Sequence, residues 1–426
     1  MNVKLFKTKM AVLVRLLSSV LYTDQSVANS NFDALDSALF DACGSVINDD
    51  VVYTDFQSFR ENRSLPAGQV INDDVVYTDF QSDCINALFS GDEALGALTP
   101  DEIFSLNTNI TSGALDDMFK RLATLRQIGG GAGADSIVSR FDVYVNGHSS
   151  WQEYDQHLLN PGFNLVDSKV MIGADYRFSD NFIVGLSSSY LSSDATLKQG
   201  AGDIDTNGYS FSAYSSFYLD DRFFIDGTFS YSDQRHRTLR NISYTGVNQV
   251  AKAKVDSDTY AAGLVTGYNF FFDGWTFTPT ARWMYRNIQL DGYSESLSDP
   301  TGPGGTLGLA IGEQEYESVT GNFGAQLSYA WSQPWGVLIP TLSGEYVHEF
   351  SDNSQSVNVT FVNTPTGTGG FIIRNSERDK DYAVINAGLS AQFAGGFSAF
   401  VTYEKLLDLS TVTSDSLSMG LRLELD

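Results

Sequence analysis

The stretch Gly208–Ser232, GYSFSAYSSFYLDDRFFIDGTFSYS, decides the fold. Tyr209, Phe211, Ala213, Ser215, Phe217 and Leu219 alternate with Ser210, Ser212, Tyr214, Ser216 and Tyr218. After Asp220-Asp221 the alternation resumes: Phe223, Ile225, Gly227, Phe229 and Tyr231 against Phe224, Asp226, Thr228, Ser230 and Ser232. A period of two puts successive side chains on opposite faces of a strand, and so tight a break between two such runs predicts a hairpin. One face is greasy and the other carries hydroxyls, a carboxylate and some aromatics. The two faces meet different surroundings.

The same pattern extends on both sides. Val170, Ile172, Ala174, Tyr176 and Phe178 alternate with Lys169, Met171, Gly173, Asp175 and Arg177, and Leu417, Met419, Leu421, Leu423 and Leu425 with Ser418, Gly420, Arg422 and Glu424. Counting along the chain gives twelve strands, near 141–147, 167–178, 181–192, 207–219, 222–233, 256–271, 275–288, 316–331, 335–350, 381–393, 396–406 and 414–425. Connections alternate in length. Those at Ser179-Asp180, Asp220-Asp221, Phe272–Gly274, Ser332–Pro334 and Ala394-Gly395 are tight, and the intervening ones are mostly 14–30 residues. Aromatic residues flank every tight turn: Phe178 and Phe182, Phe217 and Phe223, Phe271 and Trp275, Trp331 and Trp335, Phe393 and Phe397. Short turns at one end, long connections at the other and an aromatic girdle are the marks of a transmembrane barrel. The predicted fold is all-β: a twelve-stranded antiparallel transmembrane barrel over 136–426, with outer-membrane lipid as its surroundings. An even strand number returns both barrel ends to the tight-turn side.

Composition agrees. No stretch reaches 18 apolar residues, which removes a transmembrane helix but not a strand of about 9–11 residues. A net charge of -26, from 26 basic and 52 acidic residues, leaves no basic field for nucleic acid.

Ahead of the barrel the chain changes character three times. Residues 1–28 read as an export signal, with Lys4, Lys7 and Lys9 before the apolar Ala11–Leu21 and small residues at Ser26-Val27-Ala28. The segment 29–105 is acidic; its residues 31–105 hold 15 carboxylates and 2 cations. It contains VINDDVVYTDFQS twice, at Val46–Ser58 and Val70–Ser82, bracketed by Cys43 and Cys84. In an oxidising compartment these cysteines are expected either to close a disulfide around the duplicated loop or to stand as unrelated thiols. Residues 106–135 form a linker with an amphipathic helix over Leu115–Ile128. Leu115, Met118, Phe119, Leu122 and Leu125 fall at helical spacing, and Lys120, Arg121 and Arg126 add charge. Such a helix packs on a soluble neighbour or threads a polar lumen, where acidic wall residues favour its cations.

Strand parity points Asp175, Arg177, Asp226, Arg282, Glu345, Glu404, Arg422 and Glu424 into the lumen. They would stiffen the wall, dock the cationic helix or set ion preference. No His-Glu-x-x-His, Cys-x-x-Cys, G-x-S-x-G or phosphate loop occurs. His148, His157 and His236 fall in or beside predicted external loops, where solvated histidine is the expectation. Asp155, His157, Asp233 and His236 are the residues to inspect for rim chemistry. No enzyme activity and no cofactor are expected.

At this point the chain resembles the autotransporter (type V secretion) β-domain family over about 105–426. The resemblance is carried by Leu98-Thr99-Pro100-Asp101-Glu102, Arg121-Leu122-Ala123-Thr124-Leu125-Arg126, Gly173-Ala174-Asp175-Tyr176-Arg177-Phe178, Ala213-Tyr214, His348-Glu349-Phe350 and Gly420–Leu425. It implies a barrel whose pore is filled by the helix preceding strand 1, and a function of moving an N-terminal passenger to the cell surface. It also implies partners in the barrel-assembly machinery and periplasmic chaperones, and a monomer. Leu421, Leu423 and Leu425 take the place of the assembly signal; members usually end in an aromatic residue where this chain has Leu425 followed by Asp426. The passenger-like segment has no run of strands long enough for an elongated β-helix. The other readings are a channel, or a structural or adhesive surface barrel using loops 289–315 and 351–380.

Overall fold

The computed structural model describes residues 115, 118–123, 140–155, 162–220, 222–244, 247–351, 356–362, 370–374 and 379–425. Cys43, Cys84, Leu125, Arg126, His157 and the duplicated segment lie outside them.

Twelve long strands form the wall: β1 (Phe141–Tyr154), β2 (Phe163–Ser179), β3 (Phe182–Leu197), β4 (Gly202–Tyr218), β5 (Phe223–Tyr244), β6 (Val247–Tyr268), β7 (Trp275–Leu290), β8 (Gln314–Tyr329), β9 (Gly336–Glu349), β10 (Asp381–Phe393), β11 (Phe397–Leu407) and β12 (Val412–Leu425). Each pairs antiparallel with its neighbours in chain order, and β12 returns to β1, with Phe141 opposite Leu425. Closure leaves no open edge along the wall, which the hydrocarbon core of a membrane requires of any sheet.

The turns explain themselves locally. Asp273 and Gly274, with φ of 53° and 82°, form a tight reversal with both central residues at positive φ, the geometry that matches strand twist. At the next turn round the rim, Asp220 Oδ1 accepts hydrogen bonds from the backbone N–H of Phe223 (2.7 Å) and Arg222 (2.9 Å). These donors hold its carboxyl below the ordinary carboxylate range.

The greasy positions face outward. Leu186, Phe211, Phe229, Leu264, Phe323 and Leu342 are all more than half exposed. Their alternates Ser210, Ser212, Ser216, Ser230 and Ser232 are buried inside, where Ser210 meets Ser189 at 2.6 Å, Ser212 bonds Ser230 at 3.0 Å and Ser216 bonds the wall carboxylate Asp226 at 2.6 Å. A second aromatic level stands above the first. Tyr190 and Tyr209 meet at 5.2 Å between ring centroids, Tyr231 and Tyr260 at 5.1 Å. Phe223 and Tyr231 lie eight residues apart; at ~3.3 Å per residue and a tilt of about 40°, that separation spans about 20 Å, close to the apolar band of an outer membrane.

The strands do not stop at this level, and here the sequence expectation needs correction. The predicted 22-residue connection between strands 5 and 6 is mostly strand, reduced to residues 245–246. The connection between β3 and β4 shrinks to 198–201, and that between β11 and β12 to 408–411. Alternation of greasy side chains marks a strand only where lipid lies outside. Above the band the alternation reverses: Leu197, Ile204, Ile242, Val247, Ala251 and Val255 are buried inward, while Asp203, Asp205, Arg235, Arg237, Lys252 and Lys254 face out. The described strands of the loop 351–380 stand apart from the wall. Ser356–Phe361 and Gly370–Arg374 join Leu309–Ile311 and Tyr293–Ser294 in a separate four-stranded sheet. Arg240 anchors this region to the β5 extension through a buried pair with Glu295 at 2.5 Å, and Glu295 also accepts the Leu309 N–H at 3.0 Å.

Far from being a solvated loop histidine, His236 is fully buried in β5, with Nδ1 2.8 Å from Thr206 Oγ1 and Nε2 2.8 Å from Ser257 Oγ. Burial pushes its pKa down to about 3.

Two predictions follow from this architecture. Leu264→Arg, on the lipid face, should cost about 2–4 kcal/mol in urea unfolding from lipid vesicles if it sits near the midplane, and an unchanged midpoint would contradict the lipid-facing assignment. His236 stays neutral in the fold while the unfolded chain takes up a proton below ~6.5, so stability should be complete above that pH and fall as pH drops from ~6.5 towards 3. His236→Gln should remove this part of the acid sensitivity, read from unfolding midpoints across that range.

Candidate functional site in the barrel lumen

Residues 115 and 118–123 are helical and lie inside the barrel. Leu115, Met118, Phe119 and Leu122 share one face at spacings of three and four, and none is more than 4% exposed. They pack on a patch of the inner wall made of Tyr144, Met171, Ile183, Tyr214, Phe224, Ala261, Val265 and Met284, drawn from β1 to β7. All of these occupy the parity that elsewhere carries serine, threonine and charge. An apolar island on the wet face of seven adjacent strands is therefore the footprint of the helix, and it could have been read from the sequence by asking which luminal positions break the polar rule.

Glycines open the wall where aromatic rings lie flat against it. A Cβ at Gly173 would stand 2.3 Å from Tyr144 Oη, and one at Gly263 would stand 2.6 Å from Phe119 Cζ. Gly185 pairs across the sheet with Asp175, and a Cβ there would fall 2.2 Å from the Tyr214 ring. The missing side chain lets Tyr214 swing over the strand and donate its hydroxyl hydrogen to Asp175 Oδ1. Tyr144 Oη lies 2.9 Å from Tyr214 Oη.

Into this cradle the helix delivers Arg121. Its Nε donates to Asp175 Oδ2 at 3.0 Å and its terminal nitrogen reaches the same oxygen, with both side chains 2% exposed. The guanidinium also lies 4.5 Å from the Tyr144 ring centroid. The charge balance of the wall explains why a cation belongs here. Glu424, Asp142 and Asp175 stand opposite one another on β12, β1 and β2. Like charges opposed across a sheet repel. Arg422 relieves two of them, at 2.6 Å from Asp142 and 3.0 Å from Glu424. Arg121 supplies the countercharge for the third.

Lys120 reaches the other way, to Glu404 on β11 at 2.9 Å. Adjacent cations thus hold wall strands on both sides of the helix. Arg282 lies 5.1 Å from the Phe119 ring centroid and pairs with Glu345 at 2.6 Å, which Asn322 also approaches at 3.2 Å. Asp226 is buried inside, and Arg177 is half-buried close to the tight-turn end. Of the eight charges assigned to the lumen by parity, Asp175, Asp226 and Arg422 are buried, and Arg177, Arg282, Glu345, Glu404 and Glu424 are half-buried. Those in ion pairs with helix cations are Asp175 and Glu404. Leu421, Leu423 and Leu425 face lipid on β12. Beside the helix remains a cavity of about 160 Å³ bordered by Lys120, Arg282, Glu345 and Glu404. Of the rim residues considered for chemistry, Asp155 pairs with Lys198 at 3.7 Å, Asp233 is exposed opposite Asp258, and His236 sits between two hydroxyls. Among the described residues no three metal-ligating side chains converge.

Helix polarity is also legible. Arg121 meets Asp175, which registers with Gly185, whereas Ser187, two residues farther from the tight turn, donates to Met118 Sδ at 3.4 Å. Lower residue numbers therefore climb towards the outer mouth.

Removing one partner of a buried ion pair strands the other. Arg121→Met should destabilise the protein by about 3–5 kcal/mol, whereas Arg121→Met with Asp175→Leu should recover most of the loss. A double variant as unstable as the single one, measured by urea unfolding in the same vesicles, would show that the pair does not hold the helix.

The geometry finds its counterpart in known proteins. The model of the autotransporter β-domain matches residues 143–404. The chain is 25% identical over 304 residues to the putative uncharacterized protein YaiT of Escherichia coli, covering 70% of this chain and 27% of that protein. It is 22% identical over 296 residues to Lipase 1 of Photorhabdus luminescens, covering 69% and 40%. It therefore spans well under half the length of these relatives. Among solved structures, the translocator domain of the autotransporter NalP from Neisseria meningitidis superposes with a TM-score of 0.56 at 14% identity, over 75% of this chain and 99% of that one, a likeness of fold. A closed twelve-stranded wall, a helix before its first strand and a family match over most of the barrel lead to one conclusion: the chain belongs to the autotransporter β-domain family, as a translocator-type barrel of the bacterial outer membrane.

Proposed function

We propose that this barrel carries the N-terminal part of its own chain through the outer membrane and keeps the helix behind as a plug. The observation that carries this reading is the docking of Arg121 against Asp175, Tyr214 and Tyr144 inside the lumen. A helix fitted to the wall by shape and charge, pointing its lower-numbered end at the outer mouth, occupies the place of a chain threaded outward. In this reading residues 1–28 direct export, 29–105 are the transported segment, 106–135 link it to the pore, and 136–426 are the translocator. Leu421, Leu423 and Leu425 are the strand offered to the barrel-assembly machinery, with periplasmic chaperones escorting the chain, and a closed wall needs no second copy. The charges Lys120, Arg121, Asp175 and Glu404 then seat the plug, while Arg177, Asp226, Arg282, Glu345, Arg422 and Glu424 stiffen the wall around it.

Two measurements test it. Planar-bilayer conductance should rise severalfold when residues 1–130 are removed, and an equally conductive full-length protein would favour an open channel instead. An epitope inserted near Gly68 should be labelled on intact cells; an epitope reached only after the outer membrane is permeabilised would refute transport.

A further inference from the structure

The outer circumference above the aromatic band is mostly acidic, with Glu153, Asp194, Asp205, Glu315, Glu317, Asp381 and Asp415 around it. The β5–β6 hairpin departs from this. Directly above Tyr231 and Tyr260 its outward face carries Asp233 and Asp258, then Arg235 and Asp256, then Arg237 and Lys254, then Leu239 and Lys252. Arg235 pairs with Asp256 at 2.8 Å. Arg237 and Lys254 stand opposite each other across the two strands, with Lys252 two residues farther along on the same face.

Like charges directly opposed in a sheet are destabilising, and the neighbourhood does little to relieve these. Asp205 registers with Arg237 on the β4 side. Among the described residues, however, no carboxylate comes within ion-pair distance of Arg237, Lys254 or Lys252. Lys198 and Lys405, also on the outer circumference, are both paired: Lys198 with Glu153 at 2.8 Å and Asp155 at 3.7 Å, and Lys405 with Asp415 at 2.8 Å. In a chain of net charge -26, exposed cations left facing one another mark a place for an anion from outside.

Height identifies the anion. Arg235 lies four residues and Arg237 six residues beyond Tyr231 on one unbroken strand, which at ~3.3 Å per residue and a tilt of about 40° puts them about 10–15 Å above the band's edge. That is headgroup depth, on a face continuous with the lipid-facing wall. We propose that Arg235, Arg237, Lys252 and Lys254 bind phosphate groups carried on the headgroups of the outer leaflet. Guanidinium offers paired donors to phosphate oxygens, and the lysines add compact charge. Anchoring here fixes the depth and rotation of the β5–β6 hairpin relative to the membrane, independently of whether anything is transported.

The test uses the full-length protein in detergent, titrated with diphosphorylated lipid A, the same glycolipid after phosphatase treatment, and inorganic phosphate, with binding read by native mass spectrometry. The triple variant Arg237→Gln/Lys252→Gln/Lys254→Gln should bind lipid A on the order of 100-fold more weakly, while the dephosphorylated glycolipid binds poorly to both proteins. Heat-dependent gel mobility checks that the barrel is folded. If the triple variant does not fold, Arg237→Gln alone should still weaken binding about fivefold. Undiminished binding by a folded variant, or equal binding of the dephosphorylated glycolipid, would overturn the proposal. Displacement of lipid A by inorganic phosphate at matching concentration would overturn the headgroup assignment and leave a site for a free anion.

Discussion

Everything in this structure answers to the backbone's demand for hydrogen-bond partners in a medium that offers none. Each unpaired N–H or C=O in hydrocarbon costs several kcal/mol, so the sheet must close, and β12 must find β1. Closure then creates an inside. Twelve strands enclose more room than their own side chains fill on every level, and that room takes a helix. The helix dock is thus a consequence of the wall, and its chemistry is set by what the wall leaves unbalanced.

What it leaves unbalanced is charge. A row of carboxylates across three neighbouring strands has one wall arginine to serve it, and the helix brings the next. Burial makes this arrangement selective more than strong, because an ion pair taken out of water gains little net energy yet penalises any wrong neighbour. Shape supplies the rest. The glycines at 173, 185 and 263 thin the wall where rings must lie flat, so that one face of the helix meets a surface made to its contour.

The membrane-embedded half was legible in the sequence because lipid imposes a simple rule: greasy residues at every second position, with aromatics at the rim. Gly208–Ser232 shows both strands and the turn between them. Strand parity alone is what assigns charges such as Asp175 and Glu404 to the lumen. Tyr144 and Tyr214 did not stand out, since tyrosine suits lumen, rim and lipid face alike. The outer strand extensions were missed for a physical reason. Past Tyr231 water replaces lipid, polar residues such as Arg235 and Arg237 take the outward positions, and the pattern that marked a strand turns into one that resembles a loop. His236 was misjudged on the same ground: a polar residue in an apparently solvated stretch proved to be on the enclosed face. In the small sheet built by Tyr293–Ser294, Leu309–Ile311, Ser356–Phe361 and Gly370–Arg374, the alternation of Val357–Phe361 marks a strand, but no local period says that it pairs with the distant Leu309–Ile311.

The unbroken passage of β5 and β6 from hydrocarbon into water restricts how such a protein can change in length. A single inserted residue in one arm of the hairpin would turn every later side chain to the opposite face, placing Arg240 outside and Asn241 within. Growth or loss without such a reversal comes in even steps matched between the two arms, so related chains should differ here by multiples of four residues, unless a bulge absorbs the odd one.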